Sequence, residues 1–228
     1  MNILEKIKGK VIVSVQALSH EPLYDEKCMV AMMKSVIKGG AAGLRVAGAR
    51  DIKNAKALFD VPVIGITKPE VIPENWQEVV YITPDLVHVN EVITAGADIV
   101  AFDGTARYRN GCNLKQIIDC VKVSGRISMA DISTFEEGVN ARLLGADIIS
   151  TTLAGYTKES LPADDEPAFE LMNKLSKELD CPVILEGRIW TPKQVDKAFE
   201  LGAYAVVIGG AITKPISITK RFVKRGTK

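Results

Sequence analysis

The feature that most constrains this chain is a repeat in which a helix-like stretch ends in Gly-Ala and runs directly into a short apolar strand. The repeat begins at Gly40, Gly96, Gly145 and Gly202, which are 56, 49 and 57 residues apart. These intervals are about twice the ~30 residues of one strand-plus-helix unit. Between the marked strands lie unmarked ones of similar length, at residues 11–16, 62–66, 126–130 and 182–185. The sequence therefore predicts eight units.

Glycine suits the end of a helix because it adopts the left-handed conformation that lets the chain reverse into the next strand. The strands that follow are apolar without alternation, as at residues 99–101, which is typical of parallel strands covered by helices. Eight such units predict a closed (β/α)8 TIM barrel, an α/β fold whose active site lies where the strands end. A doubly wound open sheet shares the alternation and is the alternative.

Composition predicts one soluble domain spanning residues 1–228, since this length suits a compact barrel with short loops. Lys and Arg number 29 against 28 Asp and Glu. The basic stretch at residues 220–225 is more typical of a solvated helix face than of a nucleic-acid contact. The charged N-terminus does not resemble a signal peptide, and no apolar run approaches the ~20 residues needed to span a bilayer. We expect a cytoplasmic protein that binds neither nucleic acid nor membrane.

The four cysteines and two histidines show no metal-binding spacing. Cys28, Cys112, Cys120 and Cys181 form no Cys-x-x-Cys pair and are not spaced as ligands with the histidines. We therefore expect reduced thiols and no metal, although spacing leaves open a site built from carboxylates alone.

Polar residues follow the predicted strands at their carboxyl ends. Charged side chains are rarely buried without a partner or a function, so this ring predicts a site at one mouth of the barrel. The alternative is that some members form structural ion pairs that close the barrel. In chain order the ring comprises Gln16, Arg45, Lys68, Asp103, Asp131, Thr151, Thr152, Glu186, Gly187, Arg188, Gly209 and Gly210. Thr152 and Arg188 are among its candidate substrate-binding residues.

The last two strand ends predict a phosphate site. Gly187 follows strand seven, and Gly209 and Gly210 follow strand eight, where backbone N–H groups can approach an anion closely. In barrels the N-terminus of a short extra helix completes this site. A Gly-Gly pair that merely makes a tight turn is the alternative. Lys214, just beyond, could add a positive charge to a bound phosphate.

Lys68 and Glu186 are candidates for acid-base chemistry. Aligned at the Pro-Val-Ile that begins each strand, Lys68 lies six residues after the proline and Glu186 four. Because this offset is even, both side chains can point inward and face each other. In a desolvated site a lysine can lose its proton near neutral pH while a carboxylate holds one. A simple Lys-Glu ion pair is the alternative.

Five motifs resemble those of bacterial N-acetylmannosamine-6-phosphate 2-epimerases, which are ribulose-phosphate-binding barrels. They cover residues 65–68, 102–107, 129–138, 151–157 and 186–192, and their order and spacing extend the resemblance over nearly the whole chain. The resemblance implies interconversion of N-acetylmannosamine 6-phosphate and N-acetylglucosamine 6-phosphate in sialic acid or amino-sugar breakdown, with neither an organic cofactor nor a metal. It also implies a homodimer.

Carried over by position, the resemblance makes Lys68 and Glu186 the proton-transfer residues. It implies that Gln16, Arg45 and Asp131 contact the open-chain sugar, and that the phosphate lies at Gly187, Gly209 and Gly210. Two positions depart from the family's pattern: Ala154 replaces a common serine, and Lys214 replaces a common arginine. Lysine lacks the planar fork with which arginine binds phosphate.

Two other functions fit the same residues. In a Schiff-base aldolase acting on a phosphorylated sugar acid, Lys68 would be a nucleophile instead of a base. A non-catalytic sugar-phosphate sensor would need the phosphate site but not the acid-base pair. Trapping with borohydride separates the aldolase from the epimerase, and ligand binding without turnover would favour the sensor.

Overall fold

The computed structural model describes residues 2–161 and 165–226, and its eight parallel strands form one closed barrel in sequence order. The strands are β1 Val11–Val15, β2 Leu44–Ala47, β3 Val63–Ile66, β4 Ile99–Asp103, β5 Ile127–Asp131, β6 Ile148–Ser150, β7 Val183–Glu186 and β8 Ala205–Ile208. β8 closes the barrel onto β1, with Val11 opposite Val206 and Val13 opposite Ile208. The (β/α)8 prediction is confirmed, and the open-sheet alternative is wrong.

Helices follow each of the first seven strands and surround the barrel. They are α2 Glu26–Lys38, α3 Ala49–Leu58, α4 Leu86–Ala95, α5 Leu114–Val123, α6 Phe135–Leu143, α7 Phe169–Glu178 and α8 Pro192–Glu200, with α9 Gly210–Thr213 and α10 Pro215–Gly226 after β8. A short helix α1 at Ile3–Ile7 precedes the barrel, and a 3₁₀ turn at Lys158–Ser160 follows β6. No helix in residues 2–161 and 165–226 is long and apolar enough to cross a membrane.

The repeated Gly-Ala positions behave as the sequence predicts. Gly40, Gly96, Gly145 and Gly202 have φ values of 98°, 97°, 104° and 99°, the left-handed region in which a Cβ is disfavoured. Each therefore ends a helix and turns the chain into the next strand. At the opposite ends of the helices, polar caps such as Asp85 and Thr134 accept hydrogen bonds from the first-turn N–H groups.

Strand boundaries differ from the sequence prediction by about one residue. β3 and β7 begin at Val63 and Val183, one residue after Pro62 and Pro182, since proline has no N–H for the ladder. β1 ends at Val15, whereas β5 and β7 extend to Asp131 and Glu186. Asp131 and Glu186 are thus, like Asp103 of β4, the last residues of regular strands.

Apolar residues pack in two layers that place the site at one end of the barrel. One layer lies between strands and helices, and the second fills the barrel interior with residues such as Ile64, Met129 and Ile184. Ile7 of α1 is fully buried in this inner cluster beside Ile12. The N-terminal helix therefore closes one end of the barrel and leaves the carboxyl ends of the strands for a ligand.

Candidate active site

A cavity of about 680 Å³ opens at the carboxyl ends of the strands. It contains most of the predicted site residues, namely Gln16, Lys68, Thr152, Glu186, Gly187, Arg188, Gly209, Gly210 and Lys214. Arg45 and Asp131 do not line it, and their side chains are only 1% and 0% exposed. The predicted ring therefore includes both cavity-lining residues and a buried pair.

Alternation along the strands explains why these side chains converge. Ile66 of β3 and Ile184 of β7 belong to the cluster inside the barrel. Lys68 and Glu186 lie two residues further along their strands, so they point to the same inner side. The same count from Ile148 and Ser150 brings Thr152 inward, and all three of these polar side chains line the cavity.

Glu186 pairs with Arg45 and not with Lys68. Arg45 Nη1 lies 2.9 Å from Glu186 Oε2, and Nη2 lies 2.5 Å from Asp131 Oδ2. Arg45 Nη1 also donates to Asp131 Oδ1 at 3.0 Å. Within residues 2–161 and 165–226, Lys68 makes no ion pair with Glu186. The structure therefore rejects a simple Lys-Glu ion pair as the explanation for these two residues.

Burial moves the pKa values of Lys68 and Glu186 towards each other. Desolvation, helped by the positive charge of Arg45, lowers the pKa of Lys68 from 10.5 to about 8. Desolvation also raises the pKa of Glu186 from 4.5 to about 7, although Arg45 opposes the rise. Two groups that titrate near neutral pH at one cavity are suited to exchanging protons with a ligand.

Thr152 connects the two carboxylates. Its hydroxyl lies 2.7 Å from Asp131 Oδ1, 3.1 Å from Glu186 Oε2 and 2.9 Å from the Ser150 hydroxyl. Thr152 lines the cavity as predicted, but these three oxygens already surround its hydroxyl. A direct bond from this hydroxyl to substrate stays a prediction.

Two further predicted substrate contacts also have partners within the protein. Gln16 Nε2 donates to the Ser14 hydroxyl at 2.8 Å. Arg188 donates to the main-chain oxygens of Glu166 and Ala154 at 2.7 and 2.6 Å, and its guanidinium lies 5.5 Å from the Tyr156 ring centroid. By contrast, the Nε–H of Arg45 is buried and has no hydrogen-bond partner in the described part of the chain.

Small residues form the end of the cavity at β7 and β8. Gly187 has a φ of 108°, and the short helix α9 begins directly after Gly209, as the sequence predicts for a phosphate site. A Cβ added at Gly209 would lie 3.2 Å from the Cβ of Ser14. A side chain at Gly209 would crowd Ser14 of β1, so this position favours glycine.

Lys214 at this end of the cavity is paired with Glu21. The ammonium lies 2.6 and 2.8 Å from the two carboxylate oxygens of Glu21, in the loop after β1. Glu21 also accepts a hydrogen bond from the Leu18 amide at 2.7 Å, which fixes its orientation. A phosphate that approaches Lys214 therefore has to compete with Glu21.

Comparison with known proteins places the chain in a family. A family model described as "Putative N-acetylmannosamine-6-phosphate epimerase" matches residues 29–228. The chain belongs to this family. A relative from Clostridium perfringens (strain ATCC 13124), named "Putative N-acetylmannosamine-6-phosphate 2-epimerase", is 46% identical over 222 residues, which are 96% of this chain and 98% of the relative. A relative of the same name from Caldanaerobacter subterraneus is 46% identical over 228 residues, covering 98% and 93%.

A solved structure from the same epimerase family superposes closely. It is the N-acetylmannosamine-6-phosphate 2-epimerase from Clostridium perfringens, with a TM-score of 0.93, 44% sequence identity and coverage of 99% of this chain and 96% of that one. A thiamine phosphate pyrophosphorylase from Pyrococcus furiosus, at a TM-score of 0.60 and 14% identity, shares the fold alone.

Not every polar strand end in this epimerase-family barrel belongs to the cavity. Asp103 at the end of β4 is fully buried and pairs with Arg107 at 2.5 Å and with the Thr105 hydroxyl at 2.6 Å. Arg107 in turn donates to the main-chain oxygen of Trp76. The alternative of structural ion pairs is thus correct at this position. Through Arg107, Asp103 is linked to Trp76 in the long loop after β3.

Ser150 and Glu21 were not identified from the sequence, although both contact predicted site residues. Alternation from Ile148 could have indicated Ser150, since it lies two residues before Thr152 on the same side of β6. No comparable signal exists for Glu21, because its contact with Lys214 depends on how the loop after β1 folds.

Proposed function

We propose that this chain interconverts N-acetylmannosamine 6-phosphate and N-acetylglucosamine 6-phosphate by removing and returning the C2 proton of the open-chain sugar. Family membership supports the substrate, and the presence of Lys68 and Glu186 at one cavity supports the chemistry. The single observation that carries the proposal is that both pKa values move towards neutrality at the barrel mouth, to about 8 and about 7.

The C2 hydrogen of the open-chain form is acidic because its loss gives an enolate conjugated with the C1 carbonyl. Neutral Lys68 takes this proton, and the electrons of the C2–H bond become the C1–C2 double bond with negative charge on the C1 oxygen. Protonated Glu186 then returns a proton to the opposite face of C2, and the double bond reverts to the carbonyl. A proton passing from Lys68 to Glu186 restores the starting state.

Arg45 stabilises the negative charge of the enolate in this proposal. Its guanidinium does not line the cavity and acts through its positive charge, because Asp131 holds it by two hydrogen bonds beside the cavity-lining Glu186, whose Oε2 lies 2.9 Å away. Donors that are fixed before the reaction stabilise charge without reorganising, and loss of one typically costs about 100-fold or more in rate. Gln16 and Arg188, at the cavity wall, orient the sugar hydroxyl groups.

The phosphate lies at Gly187, Gly209 and Gly210, near Lys214. Binding energy from this remote group raises kcat as well as affinity. Unphosphorylated N-acetylmannosamine should therefore have both a lower kcat and a higher KM than the phosphorylated sugar. Gly209→Val, which adds methyl groups near Ser14, should raise KM for the phosphorylated sugar while circular dichroism shows an intact fold. Equal kcat/KM for the two sugars would contradict the phosphate assignment.

Solvent exchange tests the proton transfers directly. Incubation with N-acetylmannosamine 6-phosphate in D2O should produce the epimer with deuterium at C2. Lys68→Met keeps the apolar stem but removes the amine, so it should abolish both exchange and product. Glu186→Gln should still exchange C2 of the starting epimer while making almost no product. Product without C2 deuterium at early times in the unsubstituted enzyme would show that one group both removes and returns the proton.

Trapping with borohydride distinguishes the proposed epimerase from the alternative Schiff-base aldolase. An imine between Lys68 and substrate would be trapped as a stable adduct, whereas proton abstraction leaves nothing to trap. We expect no change of mass after treatment with substrate and borohydride.

We further propose a single-domain cytoplasmic homodimer that acts in sialic acid or amino-sugar breakdown and needs no cofactor or metal. Exposed apolar residues Ile216 and Phe222 on α10 support self-association, because each leaves a large side chain in water. Sedimentation at micromolar concentration tests the dimer. Phe222→Glu should shift it to monomer if this helix forms the interface.

A further inference from the structure

The Thr152 hydroxyl has more hydrogen-bond partners than it has protons. Three oxygens lie within 3.1 Å of it: Asp131 Oδ1 at 2.7 Å, the Ser150 hydroxyl at 2.9 Å and Glu186 Oε2 at 3.1 Å. A hydroxyl carries one proton and can accept two hydrogen bonds. Thr152 can therefore donate to only one of the two carboxylates at a time.

The other groups that face Glu186 are the charges of Arg45, Asp131 and Lys68. Arg45 Nη1 donates a hydrogen bond to Asp131 Oδ1 at 3.0 Å and forms an ion pair with Glu186 Oε2 at 2.9 Å. The hydrogen bond to Asp131 does not change when Glu186 gains a proton, whereas the ion pair loses the negative charge of Glu186. The bond between Thr152 and Glu186 must change, because the proton of a protonated carboxyl needs an acceptor.

Rotation of one hydroxyl satisfies both states of Glu186. When Glu186 is ionised, Thr152 donates to it and Asp131 keeps its two bonds from Arg45. When Glu186 is protonated, it donates to the Thr152 oxygen, and Thr152 turns its own proton towards Asp131. Ser150 donates to Thr152 in either state, so neither strand has to move.

We propose that Thr152 is a positioning residue whose hydroxyl proton turns between Glu186 and Asp131 as Glu186 loses and gains its proton. This inference rests on the proposed role of Glu186 in proton transfer. It assigns Thr152 to the acid-base machinery, in addition to any contact with substrate.

The hydroxyl favours the ionised state of Glu186, because hydrogen bonds to charged groups are roughly twice as strong as neutral ones. Thr152→Val keeps the shape but removes this bond, so the pKa of Glu186 should rise by about one unit. Thr152→Ser retains a hydroxyl and should restore the original value. Thr151→Val is the matched control, since the Thr151 hydroxyl bonds only the main-chain oxygen and amide of Glu186.

Infrared difference spectroscopy measures this titration without relying on turnover. The band of the protonated carboxyl group that is absent in Glu186→Gln reports Glu186, and its midpoint is followed against pH. We expect the midpoint to rise by about one pH unit in Thr152→Val, and to stay unchanged in Thr152→Ser and in Thr151→Val. In parallel, Thr152→Val should lower kcat with little change of KM.

An unchanged midpoint in Thr152→Val overturns the inference. An equal rise in Thr151→Val, or a rise that Thr152→Ser does not reverse, also overturns it, because the effect would then not come from this hydroxyl. If the expected shifts occur but N-acetylmannosamine 6-phosphate shows neither C2 exchange nor epimerisation, the hydroxyl assignment stands and the proposed function fails.

Discussion

Lys68 and Glu186 together predict a narrow bell-shaped pH profile for epimerisation. Their pKa values of about 8 and about 7 describe the pair rather than either residue, because the two groups interact. Charged Lys68 with ionised Glu186 holds the same number of protons as neutral Lys68 with protonated Glu186. The pH dependence is therefore the same whichever of the two forms reacts.

The expected width of the bell follows from these two values. With limbs near pH 7 and pH 8, the singly protonated pair reaches only about 60% of the enzyme, near pH 7.5. It falls to roughly a tenth at pH 6 and at pH 9, so kcat/KM should drop about seven-fold on each side. The substrate phosphate titrates near pH 6. Its own titration is measured separately, and the pH profile of kcat/KM is corrected for it.

Glu186→Gln tests which residue produces the acid limb. Glutamine does not titrate, so the decrease at high pH should disappear and activity should rise with pH as Lys68 becomes neutral, while kcat falls by about 100-fold to 10,000-fold. The remaining acid limb should then report Lys68 and lie below pH 8, because Glu186 no longer raises the pKa of Lys68. Epimer formation is followed by NMR across pH 5.5 to 9.5. A flat wild-type profile, or a base limb that survives in Glu186→Gln, would refute the reasoning.

Three further predictions concern residues around this pair. Glu21→Gln removes the carboxylate that competes for Lys214, so KM for the phosphorylated sugar should fall while kcat stays within about two-fold in steady-state assays. Arg45→Lys keeps the charge but loses the planar fork shared by Asp131 and Glu186, so kcat should fall more than substrate affinity measured by calorimetry. Glu186 also affects stability: because its folded pKa is raised, its contribution is present below pH 4.5 and lost as pH rises through about 7. Between pH 4 and 7.5 the wild-type free energy of urea unfolding should therefore fall by about 3 kcal/mol more than that of Glu186→Gln.

Periodicity predicts the parts of this structure that depend on the backbone alone. The left-handed glycines and the count of eight strands follow from spacing, and alternation brings Lys68 and Glu186 to the same inner side. The short helix after Gly209 is predicted instead from the general position of phosphate sites in such barrels. These features need no knowledge of which side chains meet across the barrel.

Side-chain partners could not be predicted, because they depend on reach across non-neighbouring strands. Alternation suggests that Glu186 on β7 pairs with Lys68. Glu186 forms its ion pair with Arg45 on β2 instead. Asp103 has the same strand-end position as Asp131, yet Arg107, four residues further on, turns back to pair with it. Identical positions in the repeat therefore lead to one site residue and one structural residue.

The buried pair of Asp131 and Arg45 shifts the pKa values of Lys68 and Glu186, the two groups proposed to exchange the proton. With Lys68 and Glu186 sharing one proton, the four groups are neutral in either state, so moving the proton between them changes no net charge. Asp131 raises the pKa of both exchanging groups. Asp131→Asn leaves the positive charge of Arg45 unbalanced, and both limbs of the bell should then move to lower pH by a similar amount. If only one limb moved, Asp131 would act on a single group through its hydrogen bonds, and the four groups would not titrate as one neutral unit.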